Sequence, residues 1–507
     1  METPSELIAH LQRAGARLWV DDGRLRIRTT YGLLPPEDVA SLRRLKTQIA
    51  STLLDTPLNG RNPTKSGLDS INIQPLTYRQ QSLWRLMQLD QTGASRLVSS
   101  TLRLVGRVDV EALNKSLRSV LDRHEALRTT IIELDGAPLQ DITSCVEFPL
   151  EVVPLSQDVQ SILHSLITTP PTLPSEPLFR AKLIFLSPHE SVLAVVAHHL
   201  ITDAISMEIF WSELWQLYAD FARGSTASLP NVGMQCGDYA IWQRSERFPW
   251  NAAYWQQRID RASRIQFPTE HPTRGSRTGV GAFLLLSLSS SANRSLRDIA
   301  RRENATLGAV VLTLYAALIM HECRQYEFAL PFQVTGRLYP EHINMMGYFA
   351  HPLLVWIRAT ETDSFSQLFQ QVSREFLKAQ QNTDCGKLLV QSPELFSGGM
   401  FQWSSYVDIL GDHSLRDVTR TGLEGGLVAE EFPFKFDIDN AVELVEHDVM
   451  LCLYESKTGI GGYVIYRKDL FTRETIRRVI ANLERVCEFA AAHPQEPLST
   501  FSLRQRT

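Results

Sequence analysis

Ser191-Val192-Leu193-Ala194-Val195-Val196-Ala197-His198-His199-Leu200-Ile201-Thr202-Asp203-Ala204 is an apolar run that ends on two histidines and an acid. The run 191–199 reads as a buried strand. It follows Lys182-Leu183-Ile184-Phe185-Leu186 across Ser187-Pro188-His189-Glu190, so the two runs predict a hairpin. Successive residues on a strand point to opposite faces, so one histidine can anchor in the core while its neighbour faces a cavity. Thr202-Asp203 can cap a helix carrying Ile205, Ile209, Phe210, Leu214, Leu217 and Phe221. An imidazole near its ordinary pKa beside an electropositive helix N-terminus suits acyl transfer. The ring takes a proton from a nucleophile and the helix end favours the developing oxyanion. From this stretch alone a purely structural pair weighs equally. A shared metal is disfavoured, because the two rings diverge.

The rest of the composition narrows the class. At 507 residues the chain needs two or three packing units, and 44% hydrophobic with 21% charged residues is a globular balance. A net charge of −5 gives no sign of a basic nucleic-acid surface, so no nucleic-acid partner is expected. Six scattered cysteines form no CxxC pair, so they indicate reduced thiols, cytoplasmic residence and no metal. Neither a signal pattern nor a membrane-length apolar run is present, so no membrane partner is expected.

The charge is uneven. Residues 1–54 hold eight Lys/Arg against six Asp/Glu, a net +2 that leaves −7 on the remainder. Within residues 1–55, Arg17-Leu18-Trp19-Val20 and Arg24-Leu25-Arg26-Ile27-Arg28 flank Asp21-Asp22-Gly23, a strong hairpin signal. Leu25 and Ile27 fall on one face of the second strand, and Arg24, Arg26 and Arg28 on the other. A short helix carrying Leu7, Ile8 and Leu11 precedes the hairpin. A second, opened by Pro35-Pro36, carries Val39, Leu42, Leu45, Ile49 and Leu53. Residues 56–74 are rich in Pro, Gly, Asn and Ser, as a tether would be. From Pro75 onward, strand-like runs alternate with amphipathic helices, which implies mixed α/β layers.

Several further stretches follow in a fixed order. They are Pro75-Leu76-Thr77-Tyr78-Arg79-Gln80-Gln81-Ser82-Leu83-Trp84, Arg123-His124-Glu125-Ala126-Leu127-Arg128-Thr129-Thr130 and Asp238-Tyr239-Ala240-Ile241-Trp242-Gln243. Thr335-Gly336-Arg337, Met346-Gly347-Tyr348-Phe349 and Phe434-Lys435-Phe436-Asp437 come after them. With His198-His199-Leu200-Ile201-Thr202-Asp203-Ala204, which is similar to an HHxxxDG signature, this order resembles the condensation domains of nonribosomal peptide synthetases. The head at residues 1–55 resembles their β-hairpin docking domains. The organisation looks like that of the stand-alone, chain-releasing, ester-forming condensation enzymes of the enacyloxin type, in hybrid polyketide–peptide antibiotic biosynthesis.

The resemblance implies two chloramphenicol-acetyltransferase-like lobes in a V-shaped pseudo-dimer, residues 75–250 and 251–507, after the small α+β docking domain. It implies an acyltransferase. His199 would act on the acceptor nucleophile, His198 and Asp203 would support it, and Asp203 would pair with Arg337. Ser206 and His351 would shape the site. No cofactor would bind this chain, because the acyl group arrives on the phosphopantetheine arm of an upstream carrier protein. That carrier's C-terminal tail would dock on Arg17, Arg24, Arg26 and Arg28. The acceptor would be a small amine or alcohol, and the chain a monomer. Three departures stand out: Ala204 in place of glycine, His351 where the family has Asn, and residues 376–392, which lack the usual HQDxPFE run. A non-catalytic recruitment module of the same fold, or an epimerisation domain, are the rival readings; a heterocyclising variant is disfavoured by the intact histidines.

Overall fold

The computed structural model describes residues 3, 7, 16–21, 24–29, 41–42, 44–46, 48, 72–89, 96–143, 150–154, 158–226, 229–245, 248, 250–261, 263–269, 281–337, 339–382, 386–404, 426–432, 445–456 and 459–504. The expected Asp22-Gly23 turn, residues 56–71 of the tether, the Phe434–Asp437 stretch and most of the two N-terminal helices lie outside the described residues.

The N-terminal hairpin forms as the alternation predicts. Strand β1 (Ala16–Asp21) pairs antiparallel with β2 (Arg24–Thr29), setting Arg17 opposite Arg28, Trp19 opposite Arg26 and Asp21 opposite Arg24. The first half of the body then builds β3 (Ile73–Pro75), β4 (Leu97–Val105), β5 (Thr129–Leu134), β6 (Ala137–Ile142), β7 (Glu151–Val153), β8 (Phe179–Ser187) and β9 (Glu190–His198). The second half adds β10 (Gly281–Ser287), β11 (Glu327–Val334), β12 (His351–Arg358), β13 (Gly399–Ser404), β14 (Val428–Glu431), β15 (Val449–Ser456) and β16 (Gly459–Arg467). Ile73 and Gln74, read from the sequence as tether, are strand residues paired with Asp141 and Gln140.

Strand β9 lies inside a five-stranded sheet of order β14-β4-β9-β8-β7, paired antiparallel to β8 and β4. It is buried on both faces, which explains its unbroken apolar run. Leu193, Val195 and Ala197 join a large core with the helices Val110–Arg123 and Ala204–Ala222. Val192, Ala194 and Val196 pack on the helix Val159–Thr168. The second half centres on a six-stranded sheet, order β10-β16-β15-β13-β11-β12. The long helices Ser290–Arg302, Leu307–Cys323, Phe365–Gln381 and Arg473–Ala492 share its core.

A cut at residue 250 does not separate the cores. Strand β14, from the second half, pairs with β4 of the first. The loop joining β11 to β12 crosses as well: Met345, Met346, Tyr348 and Phe349 are buried in the first half's core. Burying each such side chain is worth ~1.5–3 kcal/mol relative to exposure, so the crossing is held by packing before any charge is counted. Among the described residues, no single helix is long and apolar enough to cross a membrane.

Candidate functional site

The histidine pair sits where β9 ends, and the two rings diverge in environment. His198 is buried; its Nδ1 accepts from the Leu200 N–H at 3.1 Å, which fixes the tautomer that carries the proton on Nε2. Burial, with His199 and Arg96 adding positive charge, pushes its pKa down to about 3, so it is a neutral structural ring. His199 keeps part of its surface accessible. Its Nδ1–H donates to the Thr202 carbonyl at 3.1 Å, which leaves Nε2 as the acceptor. Burial holds its pKa below the ordinary imidazole value; Arg79 and Arg96 act in the same direction, while the Thr202 carbonyl and Asp203 oppose them. An imidazole of this kind is neutral and able to take a proton at neutral pH.

Asp203 caps the helix Ala204–Ala222 and accepts six hydrogen bonds. Oδ1 takes the Ser206 N–H at 2.9 Å, the Ser206 hydroxyl at 2.8 Å and Arg337 Nη2 at 2.9 Å. Oδ2 takes Arg337 Nη1 at 2.9 Å and the N–H groups of Phe349 and Ala350 at 3.1 and 3.2 Å. Burial alone would raise the carboxyl's pKa, but Arg337 and Ser206 together hold it below its ordinary value. The expected Asp203–Arg337 pair is therefore present, bidentate and buried, with side chains 3% and 4% exposed. Ser206 belongs to the same knot: its hydroxyl, whose one proton goes to Asp203, accepts the Gly347 N–H at 3.0 Å and lies 2.9 Å from the Gly347 carbonyl oxygen. One expectation changes here. The helix N-terminus, read as a potential oxyanion site, is taken up by Asp203's own carboxylate.

Arg337 depends on Gly336. That glycine has φ +70°, and a Cβ built on it would stand 2.0 Å from the Phe349 carbonyl oxygen. Gly336→Ala combines a left-handed backbone, about 1–2 kcal/mol for an L-residue, with a backbone collision that displaces Arg337. We expect a loss of unfolding free energy above about 2 kcal/mol, read by denaturant titration. A variant within about 0.5 kcal/mol of wild type would contradict the geometry.

Four residues that sequence reasoning did not single out complete the surroundings of His199. Its ring lies against Tyr348, with centroids 5.0 Å apart and the two planes tilted by 43°. Arg79 lies over the Tyr348 ring at 4.6 Å and pairs with Glu446 at 3.0 Å. Burial would raise Glu446, yet Arg79 above all holds its carboxyl down at about 2. Gln80 fastens the histidine turn: its Nε2 donates to the Leu200 carbonyl at 2.7 Å, while its Oε1 accepts the Thr77 N–H. Arg79 and Gln80 sit in the opening Pro75–Trp84 stretch, so their motif was visible even though their partners were not. His124 is fully buried with Nε2 at 2.7 Å from Glu213, which Arg123 also pairs with, a structural arrangement.

The departures are accommodated. Ala204 opens the helix and is exposed, and it is not among the described residues with positive φ, so its position does not demand glycine. Ala204→Gly is expected to change stability by less than about 1 kcal/mol and turnover by less than threefold, by denaturant titration and steady-state rates. A larger gain in turnover would show that the methyl narrows the substrate path. His351 is buried, and its Nδ1–H donates to the Phe349 carbonyl at 2.9 Å. It borders a small cavity of about 10 Å³, together with Arg79, Tyr348 and Gln243; His199 does not line it. The segment without the HQDxPFE run is largely helical. It spans the end of Phe365–Gln381 and then Gly386–Gln391, which packs on the helix Tyr78–Leu89. Among the described residues no cluster of His, Cys, Asp or Glu is placed to hold a metal.

The ordered stretches, the histidine turn and the two large sheets agree with a match to the condensation-domain family over residues 70–507. The chain belongs to the condensation-domain family. Its head, residues 5–54, matches the TubC N-terminal docking domain. A linear gramicidin synthase protein of Brevibacillus parabrevis is 26% identical, over 85% of this chain and 6% of that protein. The beauvericin nonribosomal cyclodepsipeptide synthetase of Gibberella fujikuroi is 27% identical, over 96% of this chain and 16% of that one. The chain thus spans a small part of the length of these curated relatives. Among solved structures, the X-domain from teicoplanin biosynthesis superposes with a TM-score of 0.70 at 23% identity, covering 87% of this chain and 98% of that one. The SgcC5 protein from Streptomyces globisporus, in complex with a naphthyl ethanediol and sucrose, gives 0.66 at 21%, covering 83% and 100%. These likenesses show the condensation-domain fold.

Proposed function

We propose that this condensation domain moves an acyl group from a carrier-bound thioester to the amine or hydroxyl of a small free acceptor, releasing the chain as an amide or ester. The observation that carries the reading is His199. It is partly accessible and neutral, and Thr202 holds its Nδ1–H so that Nε2 points its lone pair at an incoming nucleophile. In the proposed step, Nε2 takes the acceptor's N–H or O–H proton as the nitrogen or oxygen attacks the thioester carbonyl. The tetrahedral intermediate collapses, the carbon–sulfur bond breaks, and the proton passes to the departing thiolate. His198 and Asp203 hold the turn and its capped helix, and Arg337, Ser206 and His351 shape the wall opposite. The carrier's phosphopantetheine arm enters as part of the substrate.

The test supplies acyl-loaded carrier with a panel of amines and alcohols and follows release by intact-protein mass spectrometry. Release that requires both the acceptor and His199 is expected. Loss of the acyl group at the same rate without any acceptor would overturn transfer.

The head is proposed to recruit that carrier by strand addition, with Arg17, Arg24, Arg26 and Arg28 selecting an acidic tail. Reversing Arg24, Arg26 and Arg28 to Glu in the full chain is expected to raise the carrier's KM about tenfold or more at low salt, with turnover at saturating carrier kept. An unchanged KM would remove the docking role.

A further inference from the structure

The turn that follows β11 brings Tyr348 against the ring of His199, and both of its edges are gripped by the first half of the chain. On one edge, Asp203 Oδ2 accepts the N–H groups of Phe349 and Ala350. On the other, Arg79 Nε donates to the Ala350 carbonyl at 3.1 Å while the same guanidinium lies over the Tyr348 ring. Glu446 fixes Arg79 from the second half, through Oε2 at 3.0 Å and Oε1 at 3.5 Å. The result is a row of contacts, His199 to Tyr348 to Arg79 to Glu446, whose members alternate between the two halves.

We propose that Tyr348 and Arg79 are positioning residues for acyl transfer: they set the plane of the His199 ring, so that joining of the two halves and orientation of the base are one event. The inference rests on the reading of His199 as the proton acceptor. A hydrogen bond at Nδ1 alone leaves an imidazole free to swing about that bond. An aromatic ring 5.0 Å away and tilted by 43°, itself pinned by a cation, restricts that freedom. Tyr348 is not a proton carrier in its own right, because burial pushes its hydroxyl up to about 12. Replacing Arg79 alone would strand the half-buried Glu446 carboxylate, so the two are changed together.

The groups facing His199 are Arg79 from the helix Tyr78–Leu89, Arg96 from the approach to β4, Asp203 from its own turn, and Tyr348 from the crossing loop. Glu446 does not act on it directly. Neutralising the Arg79–Glu446 pair therefore removes a cation that disfavours protonated His199, and the ring's pKa rises.

The experiment uses the full chain with acyl-loaded carrier and an acceptor that gives release. It measures kcat, acceptor KM and the pH profile for Tyr348→Leu, Tyr348→Phe and the Arg79→Gln/Glu446→Gln double variant, each checked for a native thermal transition. Tyr348→Leu is expected to lower kcat about ten- to a hundredfold, the scale of a small misplacement of a catalytic group, with acceptor KM within threefold. Tyr348→Phe restores most of that loss, because the ring remains. The double variant shifts the acidic limb of the profile to higher pH. Should Tyr348→Leu fail to fold, that limb and Tyr348→Phe decide instead. Wild-type kcat in Tyr348→Leu while His199→Ala is inactive overturns the positioning role and leaves the base in place. Full activity in His199→Ala overturns both. An acidic limb unmoved in the double variant removes Arg79 from the row.

Discussion

His199→Ala is expected to lower the acyl-transfer rate by ~10²–10⁴-fold, the usual contribution of a positioned proton acceptor, with the fold retained. The side chain stands at the end of β9, partly accessible, and its polar contact is one neutral bond to Thr202, so its removal leaves no buried charge behind. Single-turnover release from an acyl-loaded carrier measures the effect. A wild-type rate in the variant would exclude the ring from the reaction. The pH dependence follows from the direction of the shift. Burial favours the neutral ring, so the working form persists below the ordinary imidazole value of 6.5 and is lost as pH falls through the lowered value. The profile should be flat through neutrality with a limb on the acid side, and that limb should vanish in His199→Ala.

Acid stability has to be read alongside. His198, His199 and His447 are all lowered by burial. Unfolded, these rings bind protons as pH drops below about 6.5, whereas the folded protein does not, so stability decreases on acidification from there, for His198 down to about 3. Asp203 and Glu446 add to the loss at lower pH. Their depressed values stabilise the fold above the ordinary carboxylate range, and that stabilisation disappears as pH falls through the folded values, about 2 for Glu446. An activity limb well above the onset of unfolding is the one that reports His199.

The β8–β9 hairpin, the two buried faces of β9 and the capped helix after it were legible because each rests on local rules: an unbroken apolar run, a Pro-containing turn, an Asp at the N-cap. The N-terminal hairpin was legible for the same reason, from alternation around Asp-Gly. The pairing of Asp203 with Arg337 came from family resemblance, since nothing local links positions 134 residues apart. Tyr348, Arg79 and Glu446 escaped because their meaning lies wholly in tertiary contact. An arginine in an amphipathic helix reads as a solvated charge until a ring and a carboxylate from the other half close over it. The crossing of β14 into the first sheet was hidden too. Val428–Glu431 is four residues long and carries two acids, so its propensity signal is weak, and pairing with β4 decides it.

Asp203→Ala should be the most destabilising single change at this junction. Removing one member of a buried pair costs about 3–5 kcal/mol, because the survivor's charge stays desolvated. The geometry sets an order within that range. Without Asp203, Arg337 retains the Met345 carbonyl and the Ser206 hydroxyl, but the N–H groups of Phe349 and Ala350 lose their acceptor and the helix loses its cap. Without Arg337, as in Arg337→Met, the carboxylate still accepts four hydrogen bonds, from the N–H and hydroxyl of Ser206 and the N–H groups of Phe349 and Ala350. Asp203→Ala should therefore exceed Arg337→Met, and Asp203→Ala/Arg337→Met should fall well short of the summed single changes, by about 1–3 kcal/mol of coupling. Denaturant midpoints of the singles and the double give the cycle. Additive values would mean that the two groups act independently despite the 2.9 Å contacts. Turnover supplies a second, separable reading: Asp203 is placed to touch no substrate, so its loss should lower kcat through the displaced Phe349–Ala350 backbone and Tyr348 while leaving the acid limb that belongs to His199.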